Sequence, residues 1–405
     1  MMWTKAKIGD CCEITSSKRI FFSEYVESGI PFYRSKEIIE LSNCQEISDP
    51  LYISESKYDE IAHKFGIPQP GDMLLTSVGT IGIPYIVKEK DTFYFKDGNL
   101  TWFRNFNERL DSRYLFYWVK SAEGQGVLNN TTIGSSQKAL TIAALKDLKI
   151  LCPPIGIQNR IVEILTSYDD LIENNQKQIK LLEEAAQRLY KEWFVNFRFP
   201  GYEDTPIVDG VPEGWSLSPI SDFGEVVTGK TPSTEKKEYY GGNIPFVKIP
   251  DMHGCVYPVI TESSLTEAGA KTQINKFIPR NGIMVSCIAT VGLVNIAVER
   301  CQTNQQINSI ILSDERDLYY VFSAMKRLKE LLEGVGSNGA TMTNVNKTKF
   351  ASLPVLYPSE ELRDSYYSFC KPIFEKIYNL SLSVVGLKKA RDRLLPKLMS
   401  GEIEV

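Results

Sequence analysis

The 405-residue sequence has only two histidines, His63 and His253, and its eight cysteines include no Cys-x-x-Cys pair. Zinc sites usually draw on closely spaced Cys and His, so a structural metal has little support. A histidine general base has equally few candidates. The thiols at Cys11, Cys12, Cys44, Cys152, Cys255, Cys287, Cys301 and Cys370 are scattered. They read as buried free cysteines of a protein kept in a reducing cytoplasm. No apolar run reaches bilayer-spanning length and the opening residues lack a signal-peptide core, so no membrane association is expected. A basic excess is also missing: 46 Lys and Arg face 50 Asp and Glu, a formal charge of −4. That disfavours a free-standing nucleic-acid binder, unless basic residues gather locally. Apolar residues make up 43% of the chain and aromatics 11%, enough for two or more domains with their own cores.

The chain repeats itself. Trp3, Ile8, Asp10, Glu13, Ile14 and Lys18 align without a gap on Trp215, Ile220, Asp222, Glu225, Val226 and Lys230. Further on, Pro31 and Phe32 answer Pro245 and Phe246, Thr80 and Gly82 answer Thr290 and Gly292, and Leu148 and Pro153 answer Leu353 and Pro358. The plan is a globular segment, a helical segment, then both again after roughly 210 residues. Short runs such as 73–76, 85–87, 92–95, 282–286 and 294–298 predict strands, punctuated by Gly, Pro and Asn turns. Each globular half also predicts one helix, near 114–121 and 318–333. Strand order is not legible at this level.

The helical segments are clearer. Ile161, Leu165, Tyr168, Ile172, Asn175, Ile179, Leu182, Ala186, Leu189 and Trp193 alternate steps of four and three. So do Tyr366, Cys370, Ile373, Ile377, Leu380, Val384, Leu387, Arg391, Leu394 and Leu398. That spacing is a coiled-coil seam, narrower than the stripe of a helix lying on a core. Two such seams in one chain are best buried against each other, and a closed two-fold arrangement of the repeats makes the pair antiparallel. Asn175 is the polar seam residue expected to fix register. The fold class is therefore α+β, with two mixed β-rich globular domains, two long helices packed as an antiparallel coiled coil, and a pseudo-two-fold internal repeat. The boundaries fall at 1–152, 153–200 for the first helix, 201–214 for a linker, 215–356, and 357–405 for the second helix.

With these features in place, the chain resembles the specificity subunits of type I restriction–modification systems. The resemblance is carried by Pro153, Pro154, Gln158, Arg160 and Ile161 at the start of the first helix, by 169–175 (DDLIENN), and by 189–194 (LYKEWF). Pro212, Glu213, Gly214 and Trp215, then Thr231, Pro232 and Ser233, Asn304 and Gln305, and the ending 394–403 (LLPKLMSGEI) continue it. It covers essentially the whole chain. It implies a subunit that is not an enzyme, whose two globular parts are target recognition domains. Each would read one half of a bipartite double-stranded DNA sequence, with the helices as spacer and as docking site for two modification (methyltransferase) subunits. Restriction (translocase and nuclease) subunits would complete the complex. S-adenosylmethionine, ATP and magnesium would be used by those partners, and no cofactor by this chain. One departure is the start of the second helix, Pro358-Ser359-Glu360-Glu361, which lacks the double proline and the glutamine.

Base reading uses Arg or Lys for guanine, Asn or Gln for adenine, and hydroxyls for adaptable contacts. Loop positions that match between the halves nominate Lys18, Arg19, Arg34, Lys36, Thr80 and Lys96 in the first. In the second they nominate Lys230, Thr231, Ser233, Lys248, Thr290, Asn304 and Gln305. One motif argues otherwise: 224–231 reads GEVVTGKT and satisfies the phosphate-loop pattern GxxxxGK[ST], so a nucleotide-hydrolysing enzyme is an alternative. A phosphate loop needs a buried strand ahead of it and a helix starting at its Lys-Thr end. Residues 219–223 make a poor strand, and Pro232 biases Thr231 away from helix. The repeat, moreover, keeps a lysine opposite Lys230 but puts Cys12 and Ser17 opposite the two glycines. The run 310–315 fits a strand leading into a helix start. A coiled-coil scaffold with two protein-binding heads is the other alternative.

Overall fold

The computed structural model describes residues 3–43, 45, 47–132, 138–334 and 344–405. The chain forms two compact units. One comprises 1–173 with 387–405, the other 174–386, so each takes one part of each long helix.

In the first unit, a four-stranded antiparallel sheet runs in the order Glu13–Thr15, Leu100–Arg104, Met73–Thr76, Pro84–Ile86. A second sheet joins Tyr25–Val26, Leu51–Ile53, Ile30–Tyr33 and Tyr94–Phe95, its last pair parallel. Thr4–Lys7 pairs with Lys149–Cys152 and closes the unit's ends together. The central strand Met73–Thr76 is buried on both faces, which is why it reads as a continuous apolar run. Helix Ser112–Lys120 lies on this sheet. Its start is fixed by Asp111, whose carboxylate accepts from the Arg113 amide at 2.7 Å and the Tyr114 amide at 3.3 Å.

The second unit repeats this topology. Gly224–Thr228, Ile307–Leu312, Ile283–Ser286 and Val294–Ile296 form its four-stranded sheet. Ser263–Leu265, Tyr240–Val247 and Gln302–Thr303 form the smaller one, again with one parallel pair. Ser216–Pro219 pairs with Pro354–Tyr357. Helix Leu318–Lys326 takes the place of Ser112–Lys120. The expected linker contains a two-residue hairpin: Ile207–Val208 pairs with Val211–Pro212 through Asp209 and Gly210, both at positive φ.

The long helices span Ile155–Phe194 and Glu360–Ser400. Every seam position foreseen on them is buried or half-buried. They run antiparallel. Within the second unit, Asn175 donates to the Ser383 hydroxyl at 3.1 Å, and further along the first helix the Ala186 carbonyl accepts from the Tyr366 hydroxyl at 3.4 Å. Within the first unit, Asp169 pairs with Arg391. Toward their ends the buried stripe is wider than a seam. Val162, Leu165, Leu395, Leu398 and Met399 join the first unit's core, and Tyr190, Phe194, Leu362 and Phe374 join the second's. There each helix has a sheet-backed domain to cover as well as its partner helix.

Seven cysteines are free thiols. Six are buried and Cys255 is half-buried, while Cys44 lies outside the described residues. Among the described residues, no helix is long and apolar enough to cross a membrane and no cluster of metal-ligating side chains occurs.

Candidate nucleic-acid interface

At one end of each four-stranded sheet, three loops meet; the two units share the backbone bond that ties the loop after Met73–Thr76 or Ile283–Ser286 but close the first turn differently. In the second unit the turn after Gly224–Thr228 holds Gly229, Lys230 and Thr231. The Gly229 amide donates to the Ile307 carbonyl at 3.1 Å and the Lys230 amide to Thr303 at 2.9 Å. The Thr231 hydroxyl donates to the Gln305 side-chain oxygen at 2.7 Å. The third loop, 287–290, follows Ile283–Ser286, and its Cys287 amide donates to the Gln306 carbonyl at 2.8 Å. In the first unit the corresponding turn carries Ser16, Ser17 and Lys18. Ser16 accepts from the Gly98 amide at 3.3 Å, and the Lys18 amide donates to the Tyr94 phenol at 2.7 Å. Burial raises that phenol above its ordinary value, which keeps it a neutral anchor. The Ser77 amide donates to Asn99 at 2.8 Å, the counterpart of Cys287 to Gln306.

The structure gathers Lys230, Thr231, Asn304, Gln305 and Thr290 onto these loops in the second unit, and Lys18, Thr80 and Lys96 in the first. Lys18, Thr80, Lys230, Ser233, Thr290 and Gln305 are exposed, whereas Asn304 is buried and Thr231 and Lys96 are half-buried. Asn304 spends its side chain on Gln306, donating at 2.9 Å and accepting from its amide at 3.1 Å, so it shapes the loop. Arg19 is exposed but donates to Asp97 at 2.9 Å. Arg34 and Lys248 precede short helices in the two units and are spent on carboxylates, Arg34 on Glu37 and Asp49, Lys248 on Glu262 at 2.9 Å. Lys36 is exposed one residue beyond Ser35, whose hydroxyl reaches the Asn99 carbonyl at 3.4 Å.

Other residues hold the loops and were not singled out from sequence. Gln273 donates to the Lys230 carbonyl at 2.6 Å and to Gln302 at 2.8 Å. Gln302 donates to Ala270 and Gln273 carbonyls at 3.0 and 3.1 Å. Both glutamines are buried, a costly placement that pins the Lys230 turn from behind. Ala289 sits at φ 64°, matching Gly79 at φ 78° in the first unit, so the 287–290 turn keeps a left-handed residue where glycine is the easier choice.

The phosphate-loop reading fails on this geometry. Gly224–Thr228 is itself a strand, and Thr231 starts no helix. A Cβ on Gly224 would stand 2.1 Å from the Ile311 carbonyl oxygen, and one on Gly229 would stand 2.2 Å from both the Asn304 oxygen and the Thr303 hydroxyl. The glycines permit close backbone contact, and the amides at Gly229 and Lys230 already have carbonyl partners.

The start of the second helix is also explained. Gln158 is fully buried: its oxygen accepts from the Asp111 amide at 2.9 Å, and its nitrogen donates to Arg109 and Pro153 carbonyls, each at 2.8 Å. Arg363 stands at the matching place and pairs with Asp317 at 2.5 Å, with Asp317 preceding helix Leu318–Lys326 as Asp111 precedes its counterpart. Different chemistry ties the same two elements.

A duplicated β-rich unit that carries the same loop cluster twice, with two long antiparallel helices, defines an internally repeated two-headed protein. Residues 2–184 and 212–366 match the family model described as type I restriction modification DNA specificity domain. The chain is 33% identical over 325 residues to the type I restriction enzyme HindI specificity subunit of Haemophilus influenzae, covering 65% of this chain and 71% of that one. It is 27% identical over 420 residues to the MjaIX specificity subunit of Methanocaldococcus jannaschii, covering 100% of this chain and 94% of the relative. A crystal structure of the type I system S subunit from M. genitalium superposes with a TM-score of 0.62 at 13% identity, over 98% of this chain and 96% of that one, a likeness of fold. The chain belongs to the type I restriction–modification specificity subunits, with two target recognition domains.

Proposed function

We propose that each unit reads one half of a bipartite double-stranded DNA target through its three-loop cluster. The long helices set the spacing of the halves and dock two methyltransferase subunits, to which restriction subunits add. Catalysis belongs to those partners, with S-adenosylmethionine, ATP and magnesium bound there. The observation that supports this most is the duplication of the loop cluster at the same end of each sheet, with the Ser77–Asn99 and Cys287–Gln306 backbone bonds in common. Backbone bonds keep the loops in place, while exposed Lys18 and Thr80 in one unit and Lys230, Ser233, Thr290 and Gln305 in the other offer side chains of the kinds that contact bases and phosphates. The negative net charge fits a chain whose phosphate clamp is partly supplied by its partners.

The test is a half-exchange. Residues 1–152 are replaced by the corresponding segment of another specificity subunit, the hybrid is co-expressed with its cognate methyltransferase, and methylated bases are mapped across the genome. One half of the methylated motif changes and the other stays. Methylation that persists with both halves unchanged, or with both altered, would sink the proposal. Tight, salt-sensitive binding of random DNA by the isolated chain would count against the shared clamp.

A further inference from the structure

The first unit exposes an aromatic feature that its loop cluster does not use. Phe21 is 62% exposed and Phe22 87%, just past Lys18, Arg19 and the buried Ile20. Exposed phenyl rings in sequence are costly, and a rigid pair of them is a binding feature before it is an accident. This pair is rigid. The Phe21 amide donates to the Glu24 carboxylate at 2.8 Å, the Glu24 amide returns to the Phe21 carbonyl at 2.9 Å, and Lys57 holds Glu24 at 2.9 Å. The Phe22 ring meets Tyr25 edge-on at 5.7 Å, and Tyr25 in turn meets the buried Phe32. Beside the turn, Lys18 lies 4.9 Å over the ring of Phe65, itself 46% exposed.

The second unit indicates what this turn faces. There the equivalent short helix is Lys237–Tyr239, begun at Lys236 and followed by Tyr240, as Phe22–Glu24 is begun at Phe21 and followed by Tyr25. The Lys236 carbonyl accepts from the Tyr239 amide at 3.0 Å, the same closure as Phe21 to Glu24. Two exposed lysines, Lys236 and Lys237, thus stand where the first unit has two phenylalanines, and Lys236 donates to the Tyr239 hydroxyl at 3.1 Å. A turn that carries cations in one copy and bare aromatic rings in the other suits a nucleic acid, which offers phosphate to the one and base faces to the other.

We propose that Phe22, backed by Phe21, is a wedge that inserts at a base step of the DNA beside the half-site of the first unit, whereas Lys236 and Lys237 clamp backbone phosphate beside the other. The proposal rests on the DNA-reading role above. The two units then bind unequally: one deforms its half-site and the other grips it.

The experiment uses the full specificity–methyltransferase complex and duplexes of the motif found by methylation mapping, with 2-aminopurine placed in turn at steps within and beside the first half-site. Wild-type complex raises the fluorescence at one step. Phe22→Ala abolishes the rise and weakens specific binding by about tenfold, within the range for a lost base–aromatic stack, and Phe22→Trp restores both. Lys237→Ala reduces the slope of log affinity against log salt by about 1, and Phe22→Ala leaves that slope unchanged. At 87% exposure Phe22 contributes nothing to the core, so the Phe22→Ala chain melts as wild type does. Unchanged fluorescence and affinity in Phe22→Ala overturn the wedge while leaving the DNA-reading role intact. Failure of Phe22→Ala to co-purify with the methyltransferase also overturns it, in favour of a subunit contact. No preference of the wild-type complex for the mapped motif overturns both.

Discussion

Gly229 shows how a single position decides between two functions. In a phosphate loop its amide would face a ligand, but here it donates to Ile307, and the missing Cβ makes room for the Thr303–Asn304 backbone. Gly229→Ala therefore lowers stability by about 1–3 kcal/mol, the usual cost of an overpacked contact, and saturating ATP gives the wild-type chain no thermal protection. Denaturant titration and a melting assay with nucleotide check the two halves of that statement. The cysteines make a second residue-scale case. Burial pushes the Cys287 thiol up to about 11 and those of Cys301 and Cys370 up to about 12, so the reactive thiolate is scarce at any ordinary pH. Raising the pH from about 7 to about 9 speeds alkylation of an ordinary exposed thiol. Peptide mapping by mass spectrometry will find these three unlabelled until the chain is unfolded, and labelling in the folded chain would contradict their burial.

The long helices were the most legible elements, because a four-three alternation sustained from Ile161 to Trp193 and again from Tyr366 to Leu398 leaves one economical solution. That seam overrides local breakers: the second helix runs unbroken through Pro372 and Pro396, both exposed. The repeat was legible too, because Trp3 and Trp215, Lys18 and Lys230, and Thr80 and Thr290 mark equivalent corners of one topology. Strand order was not, since the parallel pairing of Ile30–Tyr33 with Tyr94–Phe95 joins residues about sixty apart with no local signal. The candidate site was legible only where a residue's type sufficed. Lys18 and Lys230 fall on the loop clusters, but nothing local shows that Arg34 and Lys248 are spent on carboxylates, or that Gln273 and Gln302 brace the Lys230 turn. Asp209–Gly210 is a readable turn signal, and the hairpin it makes lies within the segment 201–214 expected as a linker. At this scale the seam's one cation makes a prediction. Arg391 is mostly buried, pairs with Asp169, and Asp169 also accepts from the Tyr117 hydroxyl at 2.8 Å. Arg391→Leu leaves that carboxylate without its cation and costs about 2 kcal/mol, less than a fully buried pair because solvent reaches both groups. The Arg391→Leu, Asp169→Leu double variant recovers most of the loss, and a double-mutant cycle in urea measures it. A double variant no more stable than Arg391→Leu alone would show that the Tyr117 bond, not the charge, is what the seam needs.

For the molecule as a whole, duplication solves a problem that one domain cannot. On the reading proposed above, a single three-loop cluster offers few exposed side chains to read bases, and an isolated half-site is too short to be rare in a genome. Two clusters on one chain multiply their specificities only if their separation is fixed, since a flexible tether would accept many spacings. The helices pass from one compact unit to the other between Glu173 and Asn174 and between Gly386 and Leu387, and neither breaks there. A matched insertion of one heptad at both points keeps the seam in phase, because seven residues return a coiled coil to the same face. It lengthens each helix by about 10.5 Å at 1.5 Å per residue, close to three base pairs at about 3.4 Å each. Co-expressed with its methyltransferase, the lengthened subunit should methylate a motif with both halves unchanged and the gap between them wider by about three base pairs. A matched insertion of two residues, which turns the seam away from its partner, should instead yield a subunit that folds poorly and directs no methylation. If the lengthened subunit methylates the original motif with its original gap, the helices do not set the spacing, and the rigid-spacer part of the proposal falls while half-site reading stands.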